Sequence, residues 1–484
     1  MESNGKLTVN IHLIGICGTA MATLAALLKQ RGHQVRGSDQ GMYPPMDAFL
    51  QQEGIPVSIG YRPENVTSDL SLVIVGNAIS RGNPELEQVL DRKIRHCSLP
   101  EAIREHFLWG ARSIVVAGTH GKTTTTSLAG WLLTAGGLDP TVFVGGIALN
   151  FGDGGSSYRV GRGREFVIEG DEYDSAFFDK TAKFLKYLPD IAIINNIEFD
   201  HADIYADLDA VRLAFRRLVN LVPRSGLLLL GVDSPDAAAL KSVAVSPVET
   251  FGLDEQADWR AYDVKMADGR SRFMVEHRHE FVGEFEVPLL GTHNVRNAVG
   301  AIAVGAATGI AASALAEGLR TFRGVKRRLE VVDRVNGVTI YDDFAHHPTA
   351  VAETLAAVKA GYPGQRVWAV FEPRSASSCR RVFQKEFAKA FAAADRTVFA
   401  SVFRSNLPES ERLSVDELVT DLGGTAAHIP ETTHIVDELA RSVAPGDVIV
   451  IMSNGGFDGI HRKLASALRQ QRPEVGQGSR ETSR

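Results

Sequence analysis

The sequence predicts an α/β protein of three domains, and three observations carry that prediction. The chain has 484 residues, more than one hydrophobic core usually organises. Short apolar, β-branched runs recur along it, many ending in a polar or glycine-rich loop with a helical pattern behind, as expected of strand–loop–helix units on parallel sheets. One such unit is unusually informative. Ser113 to Val116 reads as a buried strand, Gly118 and Gly121 allow a tight turn, and from Lys122 the pattern turns helical, with Leu128, Trp131 and Leu132 on one face.

That unit has the form of a phosphate cradle, because loop N–H groups and a helix N-terminus attract an anion. Within Gly118-Thr119-His120-Gly121-Lys122-Thr123-Thr124, Lys122 offers a compact charge to β/γ-phosphates and Thr123 a hydroxyl to Mg²⁺. The first glycine of the common pattern would stand at Val116, so the loop is a shortened form. An ordinary βα turn is the competing reading.

Bulk properties narrow the field. Apolar content is 44% and charged content 23%, ordinary for a chain with a large core. A net charge of −6 gives a nucleic-acid partner no global electrostatic support. Cys17, Cys97 and Cys379 are odd in number and far apart, which fits a reducing compartment without a disulfide frame. Met1 to Leu7 lacks the apolar core of a signal peptide, and no apolar run approaches a membrane span. The expectation is a cytoplasmic protein, with a frayed tail from Gln470 onward.

Taken in order, Thr8 to Ile14 reads as the first strand, followed by Gly15-Ile16-Cys17-Gly18-Thr19 and a helix to about Gln30. This resembles a dinucleotide-binding start, but Cys17 and Ala20 occupy the second and third glycine positions. A second strand, His33 to Gly37, ends at Ser38-Asp39, an acid suited to a ribose or base edge; a plain turn with a surface Asp is the alternative. Leu72 to Val75 leads into a polar turn, Gly76 to Pro84, that either meets a ligand or caps the next helix through Asn83. The pattern restarts around Trp109 to Arg112, which sets a domain boundary.

In the central region Gly145-Gly146 and the glycine-rich 152–163 stretch read as loops. Glu165 to Ile168 and Ile191 to Ile194 read as strands. They end in Glu169-Gly170-Asp171-Glu172-Tyr173-Asp174 and in Asn195-Asn196-Ile197-Glu198-Phe199-Asp200-His201. Polar clusters past strand ends lie where open α/β sheets bind ligands. A magnesium–triphosphate site needs acidic or imidazole ligands, and Glu169 and His201 are the candidates, against the reading that these loops are merely solvated. Residues 246–288 read as an antiparallel excursion. Asn294 and Asn297, behind His293, share one face of a helix start; two amides there either bind an adenine edge or cap the helix.

Phe322 to Arg328 is a basic, hinge-like stretch: a solvated linker, or cations that swing onto a transferring phosphoryl group. Beyond it, strands Val338 to Tyr341, Val367 to Phe371 and Val448 to Met452 each end in a polar loop. These loops hold Asp342-Asp343, Glu372-Pro373-Arg374-Ser375 and Ser453-Asn454-Gly455-Gly456, which suggests one binding face. His346 and His347 are adjacent and diverge, so a metal pair there is disfavoured.

Six ordered motifs together resemble the Mur ligase family, ATP-dependent amide ligases of peptidoglycan metabolism, over nearly the whole chain. They are the Gly118–Thr124 loop, Glu169-Gly170-Asp171-Glu172, Asn196-Ile197-Glu198 with Asp200-His201, His293-Asn294 with Asn297, Gly324 with Arg327-Arg328, and Asp342-Asp343 with His346-His347-Pro348. The resemblance implies a Rossmann-like N-terminal domain over 1–109 that binds UDP-N-acetylmuramate and a central P-loop ATPase-type α/β domain over 110–322. It also implies a C-terminal Rossmann-like α/β domain over 323–469 that binds the peptide, with 470–484 left as tail. Within the family, Glu169-Gly170-Asp171-Glu172-Tyr173-Asp174, Asp343-Phe344-Ala345-His346 and Glu372-Pro373-Arg374-Ser375 depart from the usual alanine-adding pattern. They look like the members that attach a whole tripeptide, L-alanyl-γ-D-glutamyl-meso-diaminopimelate, in murein recycling.

The roles implied by the resemblance are as follows. Gly15, Gly18, Ser38, Asp39, Asn77 and Ser80 would meet the sugar nucleotide. ATP would lie on Gly118 to Thr124 with His293, Asn294 and Asn297, while Arg328 and Asp343 reach toward it. Thr123, Glu169 and His201 would hold Mg²⁺, and Arg374 with Ser375 would receive the peptide. Lys122, Glu169, His201, Arg328 and Asp343 form the expected catalytic set. No nucleic acid, membrane or obligate protein partner is expected. The alternatives are an L-alanine-adding ligase and a nucleotide-binding switch ATPase that makes no bond.

Overall fold

The computed structural model describes residues 8–42, 46–403 and 407–470. The expected tail beyond Gln470 therefore lies outside the described residues, as do Tyr43, Pro44 and Pro45. Two compact units result, Met1–Lys265 with Arg270–Lys326, and Met266–Gly269 with Arg327–Arg484.

The first unit opens with a five-stranded sheet whose strands all pair in parallel. Asn10–Ile14 lies between Gln34–Asp39 and Leu72–Val75, so the strand order reverses beside it. Ligands of open α/β sheets bind outside the carboxyl ends at such a switch point. Here those ends carry the Gly15 turn and Gly76-Asn77. The helix Thr19–Gln30 follows from the alanine- and leucine-rich sequence and buries Met21, Leu24 and Leu28 on the sheet.

A ten-stranded sheet follows. Arg112–Ala117 runs parallel between Glu165–Glu169 and Ile191–Ile194, with Val115 level with both Ile168 and Ala192. Continuous β-branched runs are expected in strands covered on both faces. The register brings the three carboxyl ends together, delivering Gly118, Gly170 and Asn195 to one place.

Three sequence expectations need correction. Gly145-Gly146 lies inside the strand Thr141–Ala148, and the 152–163 stretch contains the strand Ser156–Arg159. The reason at Gly145 is close approach: a Cβ there would lie 2.8 Å from the Glu169 carboxylate. The 246–288 segment begins parallel, since Val248–Gly252 pairs that way with both Leu227–Gly231 and Trp259–Ala267. Arg270–His277 and Glu280–Val287 form an antiparallel pair.

One apolar cluster runs from Leu13, Ile16 and Leu24 of the first sheet region to Phe166, Ile168 and Phe184 of the central one. At its edge, in the turn Arg104–Leu108, the His106 ring meets His33 edge-on at 5.0 Å. Burial, helped by the neighbouring His33, Arg31 and Arg95, pushes the His106 pKa down to about 4. A histidine depressed below its usual value of about 6.5 stabilises the fold above that value and loses the contribution as pH falls toward the folded pKa. Thermal melts between pH 7 and 4 should therefore show a fall in Tm that His106→Phe blunts. An unchanged slope in the variant would remove His106 as its source.

The second unit holds a six-stranded sheet in the order Glu330–Val335, Val338–Asp343, Val448–Met452, Val367–Phe371, Arg396–Phe399, Ala426–His428. All pairings are parallel except the hairpin that joins the first two strands. Val338–Asp343, Val367–Phe371 and Val448–Met452 are buried throughout and adjacent. Their three polar loops therefore meet at one sheet end.

Candidate active site

The phosphate loop is held from behind by the neighbouring strand end. The N–H groups of Thr119 and His120 donate to the carbonyl and side-chain oxygens of Asn196, at 3.0 and 2.7 Å. Asn195 Nδ2 donates to the His120 carbonyl (3.2 Å), and the Thr119 hydroxyl accepts from Glu198 N (2.9 Å). With those two loop N–H groups engaged, the donors suited to an anion are those at the start of the helix Lys122–Ala135, whose N-cap is Gly121 without a side-chain cap. Gly118 and Gly121 both have positive φ, 128° and 79°.

Lys122 Nζ donates to the Gly118 and Thr119 carbonyls (2.8 and 3.1 Å) and to both oxygens of Glu172 (2.8 and 3.1 Å). Burial alone would lower its pKa, but Glu172, Asp171 and Glu169 outweigh that and keep it charged. Glu172 is 2% exposed and also lies 3.3 Å from His201 Nε2. Burial pulls the imidazole down, yet the bond and charge of Glu172, with Asp200, hold its pKa above the usual histidine value. Beside this, Thr123 Oγ1 donates to Glu169 Oε1 at 3.0 Å, and Gly145 N to Glu169 Oε2 at 2.7 Å.

Lys122, Thr123, Glu169 and His201 are thus gathered in one cluster, and the structure adds Glu172 and Asp171. Ligand atoms of Asp171, Glu172 and His201 lie within 4.8 Å of one another. Burial pushes Asp171 up, but Lys183 and Lys122 outweigh it and hold it well below the usual carboxylate range. No spacing rule separates Glu172 from the other acids of its loop; its part is visible only from the Lys122 contact.

The helix Thr292–Ala307 packs its start against the loop. Asn294 Nδ2 donates to the Leu290 carbonyl (2.8 Å) and Asn297 Nδ2 to Asn294 Oδ1 (3.3 Å). Asn297 Oδ1 would lie 2.4 Å from a Cβ on Gly121, so this amide braces the loop. His293 stands at the second position of the same helix.

At the first sheet's switch point Gly15 N and Ile16 N donate to the Ser38 carbonyl (2.8 and 3.0 Å), and Cys17 N to Asp39 Oδ2 (2.8 Å). Gly18 is the N-cap of Thr19–Gln30. The Ser38 hydroxyl points inward: fully buried, it donates to Glu85 Oε2 at 2.5 Å, and His12 Nε2 lies 2.9 Å from the same oxygen. Strand alternation sends Ser38 and Asp39 to opposite faces, so the serine supports the turn and Asp39 faces it. Ser80 is exposed, while Asn77 bonds elsewhere in this unit, to Asp174.

In the second unit Asp343 Oδ2 accepts from Leu329 N (2.6 Å) and Oδ1 from Ala345 N (2.7 Å). Burial raises its pKa, opposed by Arg328 and these N–H groups. The Arg328 guanidinium stacks over Phe344 at 4.8 Å. Arg374 lies over Phe403 (3.6 Å), reaches Glu372 Oε1 (3.5 Å), and passes so close to Gly455 that a Cβ there would be 2.1 Å from its Nε. Ser375 Oγ donates to Ser378 Oγ at 2.8 Å. Ser453 Oγ donates to Glu372 Oε2 at 2.6 Å, so the expected loops do converge within this unit.

A lysine and threonine at a glycine-loop helix start, backed by carboxylates and an imidazole at and beyond the ends of adjoining parallel strands, are the groups a nucleotide-phosphate site requires. Family comparisons agree. Residues 10–108 match the Mur ligase family catalytic domain, 116–305 the Mur ligase middle domain, and 327–455 the Mur ligase glutamate ligase domain. The chain belongs to the Mur ligase family.

Among its relatives, UDP-N-acetylmuramate–L-alanyl-γ-D-glutamyl-meso-2,6-diaminoheptandioate ligase of Haemophilus influenzae is 40% identical, over 95% of this chain and 99% of that one. UDP-N-acetylmuramate–L-alanine ligase of Salinibacter ruber is 38% identical, over 92% of each. The crystal structure of a murein peptide ligase from Psychrobacter arcticus is 34% identical and superposes with a TM-score of 0.71, over 96% of this chain and 100% of that one. Among the described residues no helix is long and apolar enough to cross a membrane.

Proposed function

We propose that this chain is the ATP-dependent amide ligase that joins L-alanyl-γ-D-glutamyl-meso-diaminopimelate to UDP-N-acetylmuramate in peptidoglycan recycling. The observation that carries the ligase reading is the Lys122–Glu172–His201 cluster beside Thr123–Glu169 at the shared end of three parallel strands. The tripeptide reading draws on the relative from Haemophilus influenzae, which bears that activity in its name over nearly its full length.

The chemistry balances in two steps. A lactoyl carboxylate oxygen of the sugar acid attacks the γ-phosphorus, the bond to the β-phosphate oxygen breaks, and ADP leaves. The peptide amine then attacks the acyl carbon, phosphate departs with the bonding pair, and the amine gives up its proton. Lys122 faces the charge that spreads over the phosphoryl oxygens, so its contribution is electrostatic and positional. Asp39 and the Gly15–Gly18 turn are assigned to the sugar nucleotide. His293, Asn294 and Asn297 are assigned to the ATP side of the loop, and Arg328 and Asp343 to the same reaction from the second unit.

Thr123, Glu169 and His201 are the proposed Mg²⁺ ligands. A hydroxyl and a carboxylate seated against the bare backbone of Gly145, with the acids of Asp171 and Glu172 at hand, suit a hard cation. When bound, the ion offsets phosphate charge. Its two nucleotide substrates make the cytoplasm the proposed place of reaction.

The test is to incubate protein, ATP and UDP-N-acetylmuramate with either L-alanine or the tripeptide and measure ADP and amide product. Turnover with the tripeptide is expected; turnover with L-alanine alone would select the alanine-adding reaction, and ADP without amide would sink the ligase reading. Arg374 is assigned to the peptide's carboxylates. Losing a charge-assisted bond is worth about 1.5–3 kcal/mol, so Arg374→Ala should raise the peptide KM about tenfold or more and leave the ATP KM alone. Equal effects on both constants would count against the assignment.

A further inference from the structure

A short hairpin, Asp174–Ala176 with Asp179–Ala182, leaves the central sheet region two residues after Glu172. It seats its turn in the other half of the same unit. Phe177 packs on the apolar cluster of Ile14, Val75, Ile79 and Leu86, and the Phe178 ring meets His96 edge-on at 5.5 Å. At its base Asn77 Nδ2 donates twice to one residue, to the Asp174 carbonyl (2.5 Å) and to Asp174 Oδ1 (2.9 Å). The other carboxylate oxygen of Asp174 is held by Lys180 (2.5 Å), and the residue is nearly buried.

Both ends of this link abut chemistry. Asn77 follows Gly76, whose N–H donates to the Ile14 carbonyl (2.9 Å), so it stands beside the Gly15 turn. On the other side Glu172 grips Lys122, and its own carbonyl accepts from Tyr205 Oη at 2.6 Å. The route from the sugar-nucleotide turn to the phosphate-loop lysine thus runs Ile14-Gly15, Gly76-Asn77, Asp174, Glu172, Lys122, with a hydrogen bond at each joint except that from Asp174 to Glu172, which Tyr173 alone separates.

We infer that Asn77 and Asp174 are positioning residues: their double hydrogen bond, pinned by Phe177, sets where the sugar acid's carboxylate arrives relative to the phosphoryl group at Lys122. This rests on the ligase reading and assigns Asn77 a bond within the protein in place of one to substrate. Neither side chain touches reacting atoms. The chemistry is sensitive to such placement, because a misalignment of about 1 Å costs about 10²-fold in rate.

The test compares Asn77→Ala, Asp174→Leu and Asp174→Asn with the wild-type chain, reading amide product, ADP and the KM of each substrate. Asn77→Ala and Asp174→Leu should lower kcat for amide formation by about tenfold to a hundredfold and change the ATP KM by less than about twofold. They should also form more ADP per amide bond, since a displaced acyl phosphate is open to water. Asp174→Asn keeps the backbone carbonyl and one side-chain oxygen as acceptors and should retain most of kcat, an outcome that a charge-based role would not give; a merely structural role would not separate kcat from the ATP KM in the other two variants.

A change confined to the KM for UDP-N-acetylmuramate would instead make Asn77 a substrate contact, and an unchanged kcat would end the idea. Should Asn77→Ala fail to fold, the Asp174 pair decides alone, Asp174→Leu at wild-type kcat being the overturning result. Wild-type protein that makes no amide would refute the ligase reading. Wild-type ligation matched by every variant would refute only the positioning inference.

Discussion

Lys122→Ala is expected to abolish tripeptide-dependent ADP release, a loss of about 10³-fold or more, on the scale of removing a principal charge partner of a transferring phosphoryl group. The lysine is preassembled: two loop carbonyls and both oxygens of Glu172 hold its ammonium. That arrangement complicates the simplest experiment. Removing one member of a buried pair leaves the other charged and poorly solvated, at a cost of about 3–5 kcal/mol, and Glu172 is the buried partner. The loss in Lys122→Ala could then come from a weakened fold. The double variant Lys122→Met with Glu172→Gln removes both charges and keeps the volumes. It should melt closer to wild type and still release no ADP. Retained turnover in a folded variant would remove Lys122 from the phosphate role.

Gly121→Ala should lower kcat/KM for ATP by about 10²-fold, the cost of a misplaced reactant. Its φ of 79° is one that a residue with a Cβ adopts at about 1–2 kcal/mol. The added carbon would also stand 2.4 Å from Asn297 Oδ1 and 3.0 Å from Asn195 Nδ2. A Gly121→Ala enzyme with wild-type ATP kinetics would show that the loop does not need this conformation.

The parts of the site legible in the sequence are those in which one local pattern does the work. Strand, glycines and Lys122-Thr123 are contiguous, so the phosphate loop can be read without knowing any neighbour. The strands Leu72–Val75, Ile191–Ile194, Val367–Phe371 and Val448–Met452 have the expected bounds because their apolar runs are buried on both faces. What stayed hidden depends on pairing across the chain. Glu169, Asp171, Glu172 and Asp174 are four acids in six residues, and only the fold tells which one turns to Lys122. Glu85 looks like a surface acid near a helix start, yet it is buried and ties His12 to Ser38. Gly145 reads as a loop glycine because composition cannot express that a carboxylate from another strand needs its empty side.

Gly455 carries the same lesson into the amine acceptor's side of the reaction. The room that Arg374 occupies is room a methyl group would take. Any larger residue there would evict the guanidinium from its place over Phe403 without altering a single charge. On the proposed assignment of Arg374 to the peptide, acceptor choice is written partly in a residue that has nothing to offer a ligand. A search for altered acceptor preference would do well to begin by varying that bare backbone position and leaving the arginine alone.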